Sequence, residues 1–315
     1  MSRSRLRALA LLACSALCGA PLLGCGGSDD GDSEATKAIK ETFGTSATAV
    51  KRGNVDVRLQ LDPEGLLALG GPLALTFKGP FAAPAAGGDQ PRFHLAFVGT
   101  LAGEMYRGAV ISTGDKGFVK FQGTEYAVDD NMFNQFKAAF ESAQRKNTGG
   151  DKGPSLSKLG IKPSKWMKDA KNEGEEEVGG APTIHISSGI DVAAMLTDFN
   201  SFLGKAGSLG LGNIGQQVPS EIPAEARRQL EQAIKDVRFD LWTGKDDKIM
   251  RKFELTLAFE VPEDQREQAS GLESGDLKLS LALNELNKPQ TVEAPANARP
   301  IQELLGQLGG LGALF

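Results

Sequence analysis

Residues 253–261 read FELTLAFEV and residues 277–283 read LKLSLAL, so every second side chain is apolar in both stretches. Because successive side chains of a β-strand point to opposite faces, each stretch predicts a strand with one apolar and one polar face. The same alternation recurs in residues 55–61, 73–78, 93–97 and 237–241, with shorter runs at 105–112, 118–121 and 124–128. Strands joined by short turns pair antiparallel, so the sequence predicts one large antiparallel sheet.

Helical spacing of apolar residues interrupts these strands in a few places. The pattern occurs in residues 34–43, 132–140, 191–203, 223–234 and 301–308. Roughly ten strands and a few helices pack most economically as a single α+β domain, with the helices gathered on one side of a sheet that curls. The Gly-rich stretches 148–158 and 204–221 predict loops, and the prolines of 287–300 predict an extended tail.

The composition is that of a globular protein with a sizeable core. Of the 315 residues, 40% are hydrophobic and 24% are charged, and the formal net charge is −5. An acidic chain is a poor partner for a phosphate backbone, so we expect no nucleic-acid binding. Cys14, Cys18 and Cys25 lie in the first 25 residues, and the two histidines, His94 and His185, are far apart. The sequence therefore predicts no disulfide framework, no metal site and no cofactor.

The amino terminus carries the features of an export signal. Arg3, Arg5 and Arg7 precede the apolar run 8–17, and small residues surround Cys25. The stretch Leu22-Leu23-Gly24-Cys25 resembles the lipobox of bacterial lipoproteins, which implies that Cys25 is lipidated on sulfur and becomes the first residue after cleavage. The predicted parts are a signal peptide (1–24), a lipidated cysteine with a flexible tether (25–33) and a folded domain (34–315). An uncleaved signal anchor over residues 8–25 is the alternative.

A lipid on Cys25 would make the membrane a partner of this chain. A diacylglyceryl thioether brings two acyl chains, of which palmitate is typical, and each buried methylene contributes about 0.8 kcal/mol, so such an anchor is stable. We therefore expect the mature chain to be held at the extracytoplasmic face of the cell membrane.

Two motifs suggest cofactor binding or catalysis but lack the required setting. Residues 210–215 match G-x-G-x-x-G, yet a predicted helix precedes them where a strand is needed. Residues 206–210 resemble a nucleophile elbow around Ser208, again without a strand-to-helix turn. The carboxylates of 175–177 and 246–247 lie beside glycines, which predicts solvated turns. The sequence therefore predicts no catalytic group, and we expect both histidines to be ordinary sheet residues.

Four further patterns are spread over most of the chain. They are GFVK at 117–120 with Tyr126, EVGGAPTIHI at 177–186 leading to Asp191, VRFDLWTG at 237–244 and KIMRKF at 248–253. In this order they resemble envelope lipoproteins of the LolA-like superfamily, especially the LppX/LprG lipoprotein family. The resemblance implies a curved, incomplete antiparallel barrel wrapped around helices, enclosing an apolar cavity for lipid or lipoprotein acyl chains. The stretches 79–89 and 204–215 depart from the family pattern.

Together these features predict a lipid-anchored carrier or receptor, not an enzyme, whose cavity holds an acyl-bearing lipid. The residues expected to line the cavity are Phe77, Phe93, Phe97, Phe136, Phe140, Met195, Phe199, Phe239, Phe253, Leu257 and Phe259. The same pattern also fits a filled core, in which case the chain would be a non-catalytic envelope lipoprotein that meets a protein partner. A third hypothesis is a hydrolase that depends on Ser208.

Overall fold

The alternating stretches form strands of one twelve-stranded sheet. The computed structural model describes residues 33–44, 50–65, 71–84, 90–101, 103–135, 137–138, 162–206, 221–267 and 271–311. The strands are β1 (Arg52–Glu64), β2 (Leu73–Ala82), β3 (Arg92–Leu101), β4 (Glu104–Ser112), β5 (Gly117–Phe121), β6 (Thr124–Ala127), β7 (Met167–Val178), β8 (Ala181–Ile190), β9 (Ile234–Gly244), β10 (Met250–Glu260), β11 (Ser274–Asn284) and β12 (Arg299–Pro300). The helices include α1 (Glu34–Phe43), α2 (Val192–Ala206), α3 (Ala224–Ala233) and α4 (Ile301–Leu311).

Antiparallel pairing joins two meanders into this sheet. The strand order is β12-β6-β5-β4-β3-β2-β1-β11-β10-β9-β8-β7, and the pairing of β12 with β6 is parallel. The two meanders meet where β1 pairs with the distant strand β11. The order begins and ends with different strands, so the curved sheet is not closed. The predicted α+β fold with a large antiparallel sheet is confirmed.

The strands belong to the compact unit Ser33–Phe315. The predicted signal peptide, Cys25 and residues 26–32 of the tether lie outside the described residues. The same holds for the predicted loop at 148–158, for Ser208 and for the G-x-G-x-x-G match at 210–215.

The register aligns the apolar side chains of neighbouring strands on one face. One row of directly opposite residues crosses seven strands: Ile186, Leu241, Phe253, Leu281, Val57, Phe77 and Phe97. We call the face that carries this row the inner face, and the opposite face the outer face. A slip of one residue would move the apolar set of a strand to the outer face, so the alternating pattern specifies the register.

Helix α1 covers the inner face on the β7–β10 side of the sheet. Its buried residues Ala35, Ala38 and Ile39 follow the i, i+3, i+4 spacing of a single helix face. They pack against Ile186 and Leu241, which are 1% and 0% exposed. The centre of this side of the inner face is therefore buried under α1.

Both ends of α1 are fixed by hydroxyl groups. The Thr36 backbone N–H donates to the hydroxyl of the N-cap residue Ser33 at 3.2 Å. In the last turn, the hydroxyl of Thr42 donates to the hydroxyl of Thr243 on β9 at 2.6 Å. The second bond joins the helix directly to the inner face of the sheet.

Helix α4 covers the inner face on the opposite side of the sheet. Ile301 and Leu304 pack against Tyr126 of β6, which is 3% exposed. The preceding tail follows the outer face, where Val292 and Ala298 pack against residues of β4 and β5. Strand β12 then pairs with β6 before α4 begins. The carboxyl-terminal segment thus covers both faces of the sheet beside β6.

The outer face carries a polar and aromatic network beside β7. The imidazole of His185 lies 3.0 Å from a Glu176 carboxylate oxygen at Nδ1 and 2.9 Å from an Asp240 carboxylate oxygen at Nε2. The imidazole stacks on Trp242 with 4.3 Å between ring centroids, and the Trp242 indole N–H donates to Glu176 at 2.8 Å. The Lys252 ammonium lies 4.1 Å from the indole centroid. These contacts tie β7 to β8, β9 and β10.

Strand β7 corrects the prediction for residues 175–177. These glutamates lie within a strand and not in a turn, whereas residues 246–247 do lie in the turn between β9 and β10. The alternation rule missed β7 because the strand has few apolar residues and its pairing with β8 shifts register twice. Charged side chains on an edge strand oppose pairing with another chain.

Two predicted helices also differ in detail. The helix predicted over 223–234 ends at Ala233, because Ile234 begins β9, and Leu230 is 40% exposed and does not join the core. In the helix predicted over 132–140, residues 130–135 and 137–138 are helical, and Phe133 is buried while Met132 is exposed. Leu230 shows that helical spacing identifies a helix face but not whether a neighbour covers that face.

We expect Leu241→Ala to lower the free energy of unfolding by about 3 kcal/mol, because this fully buried side chain would leave a cavity under α1. Leu279→Ala is the matched control on the same inner face, where the side chain is half-buried, and a loss of about 1 kcal/mol is expected. Urea unfolding of a chain that begins at Gly26, which contains every described element, measures both values. Equal losses of unfolding free energy in the two variants would contradict the conclusion that Leu241 is more deeply buried than Leu279.

We expect Trp242→Phe to raise the pKa of Glu176, because the Trp242 indole N–H holds that pKa below its ordinary value of 4.5. A carboxyl group whose pKa is lowered by folding stabilises the folded state at any pH above its ordinary pKa, and this stabilisation is lost as the pH falls through the lowered pKa. Because Trp242→Phe removes the main cause of the lowering, the variant should lose less stability than the wild type on acidification. A carboxyl NMR titration measures the shift. Trp166→Phe is the control, because its indole donates to Asp198; an unchanged Glu176 pKa in Trp242→Phe would refute the assignment.

Candidate functional site

The middle of the inner face is apolar and only half-buried. The side chains come from β11, β1, β2 and β3: Leu277, Leu279, Leu281, Leu283, Val55, Val57, Leu59, Leu61, Leu75, Phe77, Phe93, Leu95 and Phe97. We call these residues the apolar floor. Each keeps part of its surface accessible, unlike Leu241 under α1 and Tyr126 under α4. Contiguous accessible apolar surface is typical of binding sites for apolar ligands or partners.

Two phenylalanine rings of the inner face lie against glycines of the neighbouring strand. A Cβ atom added to Gly108 would lie 2.5 Å from the ring of Phe97, and one added to Gly275 would lie 2.7 Å from the ring of Phe259. Only a glycine leaves room for a ring at these positions. The rings of Phe97 and Phe259 therefore lie close to the backbone of the adjacent strand.

The structure brings most of the predicted lining residues together. Seven of them lie on the inner face: Phe77, Phe93, Phe97, Phe239, Phe253, Leu257 and Phe259. Phe77 and Phe97 form a tilted ring pair at 6.2 Å, and Phe239 and Phe253 form a stacked pair at 5.6 Å. The predicted residues of the helices are dispersed: Met195 is half-buried on α2, Phe199 is 46% exposed, and Phe136 and Phe140 lie outside the described residues.

Aliphatic residues form the part of the apolar floor that sequence reasoning missed. Leu59, Leu75 and Leu279 lie directly opposite one another on β1, β2 and β11, yet the prediction selected mostly aromatic side chains. The signal was the same period-two alternation that located the strands. A lining set drawn from every inner-face position would have included them.

Helix α2 begins directly after β8 and is fixed at its first turn. The Asp191 carboxylate accepts a hydrogen bond from the Ala194 backbone N–H at 3.0 Å and pairs with the Lys168 ammonium at 3.0 Å. The Ala194 hydrogen bond, followed by the Lys168 contact, holds the pKa of Asp191 below its usual range. One turn further along, Asp198 accepts from the indole N–H of Trp166 at 2.8 Å. These bonds hold α2 at the end of β8.

Two depressions lie at one end of the sheet, where Glu64 of β1 is opposite Ser274 of β11. We call this end the Glu64 end. Their volumes are about 440 and 170 Å³, and Phe259 borders the larger one while Leu257 borders the smaller. The other lining residues are mainly charged: Glu64, Lys235, Glu260, Arg266 and Glu273 in the larger, and Asp236, Asp276 and Lys278 in the smaller. The apolar cavity expected from the sequence stays a prediction.

The histidines considered for catalysis both lie in strands. His94 lies on β3 opposite Ile111, and His185 contacts Glu176 and Asp240 within the outer-face network. Among the residues that the structure describes, no helix is both long and apolar enough to cross a bilayer.

Comparison with known proteins finds likeness in fold and not in sequence. No protein-family model matches the chain, and no curated protein matches it. LprF from Mycobacterium bovis is 12% identical with a TM-score of 0.38, and the match covers 84% of this chain and 98% of that chain. Lipoprotein LppX from Mycobacterium tuberculosis is 11% identical with a TM-score of 0.36, over 84% of this chain and 100% of that chain.

A protein of the LolA superfamily from Nitrosomonas europaea is also similar. It is 8% identical with a TM-score of 0.19, and the match covers 82% of this chain and 96% of that chain. The solved structures to which this chain is similar thus include lipoprotein LppX and a LolA-superfamily protein.

Proposed function

We propose that this chain binds lipid acyl chains on the apolar floor and acts as a lipid-anchored carrier or receptor, not as a catalyst. The observation that supports the proposal is the accessible apolar surface in the middle of an inner face whose two sides are covered by α1 and α4. Leucine and phenylalanine side chains left half-exposed forgo part of the free energy that their full burial would provide. A bound acyl chain would supply that burial.

Energetic balance favours reversible transfer over tight storage. Each acyl methylene placed on the apolar floor contributes about 0.8 kcal/mol, and a methylene that leaves a bilayer forfeits a similar amount. The net free energy of moving a chain between membrane and protein is therefore small. Selectivity must then come from the length of the apolar floor or from contacts to the lipid head group.

Attachment through Cys25 would place this exchange at the membrane. We infer that export and lipidation hold the domain at the extracytoplasmic face of the cell membrane, with the Gly-, Ser- and Asp-rich residues 26–33 as a tether. The tether keeps the apolar floor within reach of the lipids that it would take up. An envelope protein that loads or unloads the ligand is a further partner expected of such a carrier.

Binding without catalysis agrees with where the polar side chains lie. The groups best suited to acid–base chemistry, His185 with Glu176 and Asp240, contact one another on the outer face, away from the apolar floor. If acyl esters were nonetheless hydrolysed, Ser208→Ala would have to abolish that activity for the hydrolase hypothesis to hold.

A charge placed on the apolar floor should abolish acyl binding. We expect Leu279→Glu, which introduces a carboxylate at the centre of the inner face, to eliminate uptake of a fluorescent fatty acyl probe. Ser280→Glu is the matched control, since the next residue of β11 points to the outer face. Circular dichroism of both variants checks that they fold.

Native mass spectrometry of the wild-type chain provides a second readout. Co-purified lipid that disappears in Leu279→Glu supports the proposal. A wild-type chain that neither carries lipid nor takes up the probe would favour the alternative, a filled-core envelope lipoprotein that meets a protein partner.

Removal of the thiol at position 25 should release the protein from the membrane. We expect Cys25→Ser to prevent lipidation, so that the chain no longer labels with radioactive palmitate. Cys18→Ser, within the same predicted signal peptide, is the control and should retain both label and membrane attachment. Continued palmitate labelling of Cys25→Ser would disprove the assignment of the lipid to this residue.

A further inference from the structure

Three polar side chains in the part of the chain that the structure describes hold buried atoms with no hydrogen-bond partner. These atoms are both side-chain amide atoms of Gln90, which precedes β3, the hydroxyl oxygen of Ser188 on the inner face of β8, and Nε of Arg227 on α3. Buried polar atoms in folded proteins are nearly always paired, because an unpaired one costs free energy. Each atom is therefore a candidate contact for a polar group of a bound molecule.

Ser188 is a hydroxyl on an otherwise apolar face. It is 6% exposed and lies directly opposite Phe239 of β9, in a row that continues through Leu255 and Leu279 to the apolar floor. The preceding residue, Ser187, points to the outer face, and its hydroxyl donates to Glu173. The two adjacent serines thus differ in one respect that matters here: the outer one has a partner and the inner one has none.

Arg227 presents a similar contrast within one helix. The adjacent Arg228 pairs with Glu225, the acidic residue in the first turn of α3. Arg227 is half-buried, its Nε has no hydrogen-bond partner, and it makes no ion pair with any residue that the structure describes. A partly buried cation without a counterion favours binding of an anion.

Both groups belong to elements that reach the Glu64 end. Strand β8 runs toward this end and stops at Ile190, two residues after Ser188. Helix α3 contacts α2 and β9 and leads directly into β9 at the same end. At the opposite end of the inner face, the hydroxyls of Thr42 and Thr243 bond to each other. Ser188 and Arg227 therefore belong to elements that meet at the Glu64 end, whereas Gln90 lies just before β3, at the opposite end of the sheet.

We propose that the ligand is an amphiphile with an oxyanion head, a carboxylate or a phosphate, whose head lies at the Glu64 end. Ser188 and Arg227 donate hydrogen bonds to the head oxygens, and the acyl chain lies on the apolar floor. Hydroxyl and guanidinium groups are both donors suited to oxyanions. This inference rests on the proposed function and narrows its ligand class.

The test compares an acid with its neutral ester. Using the chain that begins at Gly26, which includes the whole compact unit Ser33–Phe315, we measure binding of cis-parinaric acid and of its methyl ester at pH 8. The wild type should bind the acid at least tenfold more tightly than the ester. Arg227→Gln should remove this preference by weakening the acid alone. Ser188→Ala should weaken both probes several-fold, since an ester carbonyl also accepts from a hydroxyl.

Neighbouring residues provide the matched controls. Arg228→Gln and Ser187→Ala should leave both affinities unchanged. Ser188→Ala should not lower the unfolding midpoint, because it removes a buried hydroxyl that has no partner; a lowered midpoint would show that the hydroxyl is satisfied in the folded protein and overturn its role. Equal effects of Arg227→Gln and Arg228→Gln would overturn the role of Arg227.

Displacement of the bound acid identifies the source of the oxyanion. Stronger competition by oleic acid supports a carboxylate head, and stronger competition by lysophosphatidic acid supports a phosphate head. Wild-type protein that binds acid and ester equally well overturns the head-group inference but leaves acyl binding standing. Wild-type protein that binds neither probe overturns the proposed function and this inference with it.

Discussion

The size of the inner face sets the main physical constraint on this fold. Twelve strands at about 4.8 Å spacing make a sheet roughly 50 Å wide, and one of its faces is apolar over most of that width. Helix α1 has 10 residues and is therefore about 15 Å long, with a diameter of about 10 Å, so it covers only a few strands. With α1 over β7–β10 and α4 over β5–β6, the apolar floor on the strands between them stays half-exposed.

This uneven covering leaves both buried and accessible apolar residues on a single surface. Residues under the helices, such as Leu241 and Tyr126, are buried and hold the two sides of the sheet together. Residues between them keep accessible apolar surface that an acyl chain can cover. The polar groups of the outer face, His185 with its carboxylate partners among them, pair with one another and hold the edge strand β7. Core packing, the proposed acyl binding and protection of the sheet edge thus belong to different parts of one sheet.

The strands could be predicted because the alternating pattern is local and its period is unambiguous. Residues 253–261 and 277–283 need no distant contact to reveal which side chains share a face. Strand β7 could not be predicted in this way, since an edge strand with register shifts presents charged residues on both faces. Leu230 belongs to a predicted helix, but helical spacing marks a face without showing what covers it, and in the structure Leu230 is exposed.

The sequence by itself determined the class of fold and the face to which the apolar side chains of the alternating strands point, because these depend on residues close together in the chain. For the same reason it predicts the lipobox-like address at Cys25. Tertiary structure alone decided that β11 lies beside β1, which joins the two meanders into one continuous apolar surface. It also decided which part of that surface the helices bury, and that Ser188 and Arg227 lack partners. These properties depend on contacts between residues far apart in sequence, which no local pattern encodes.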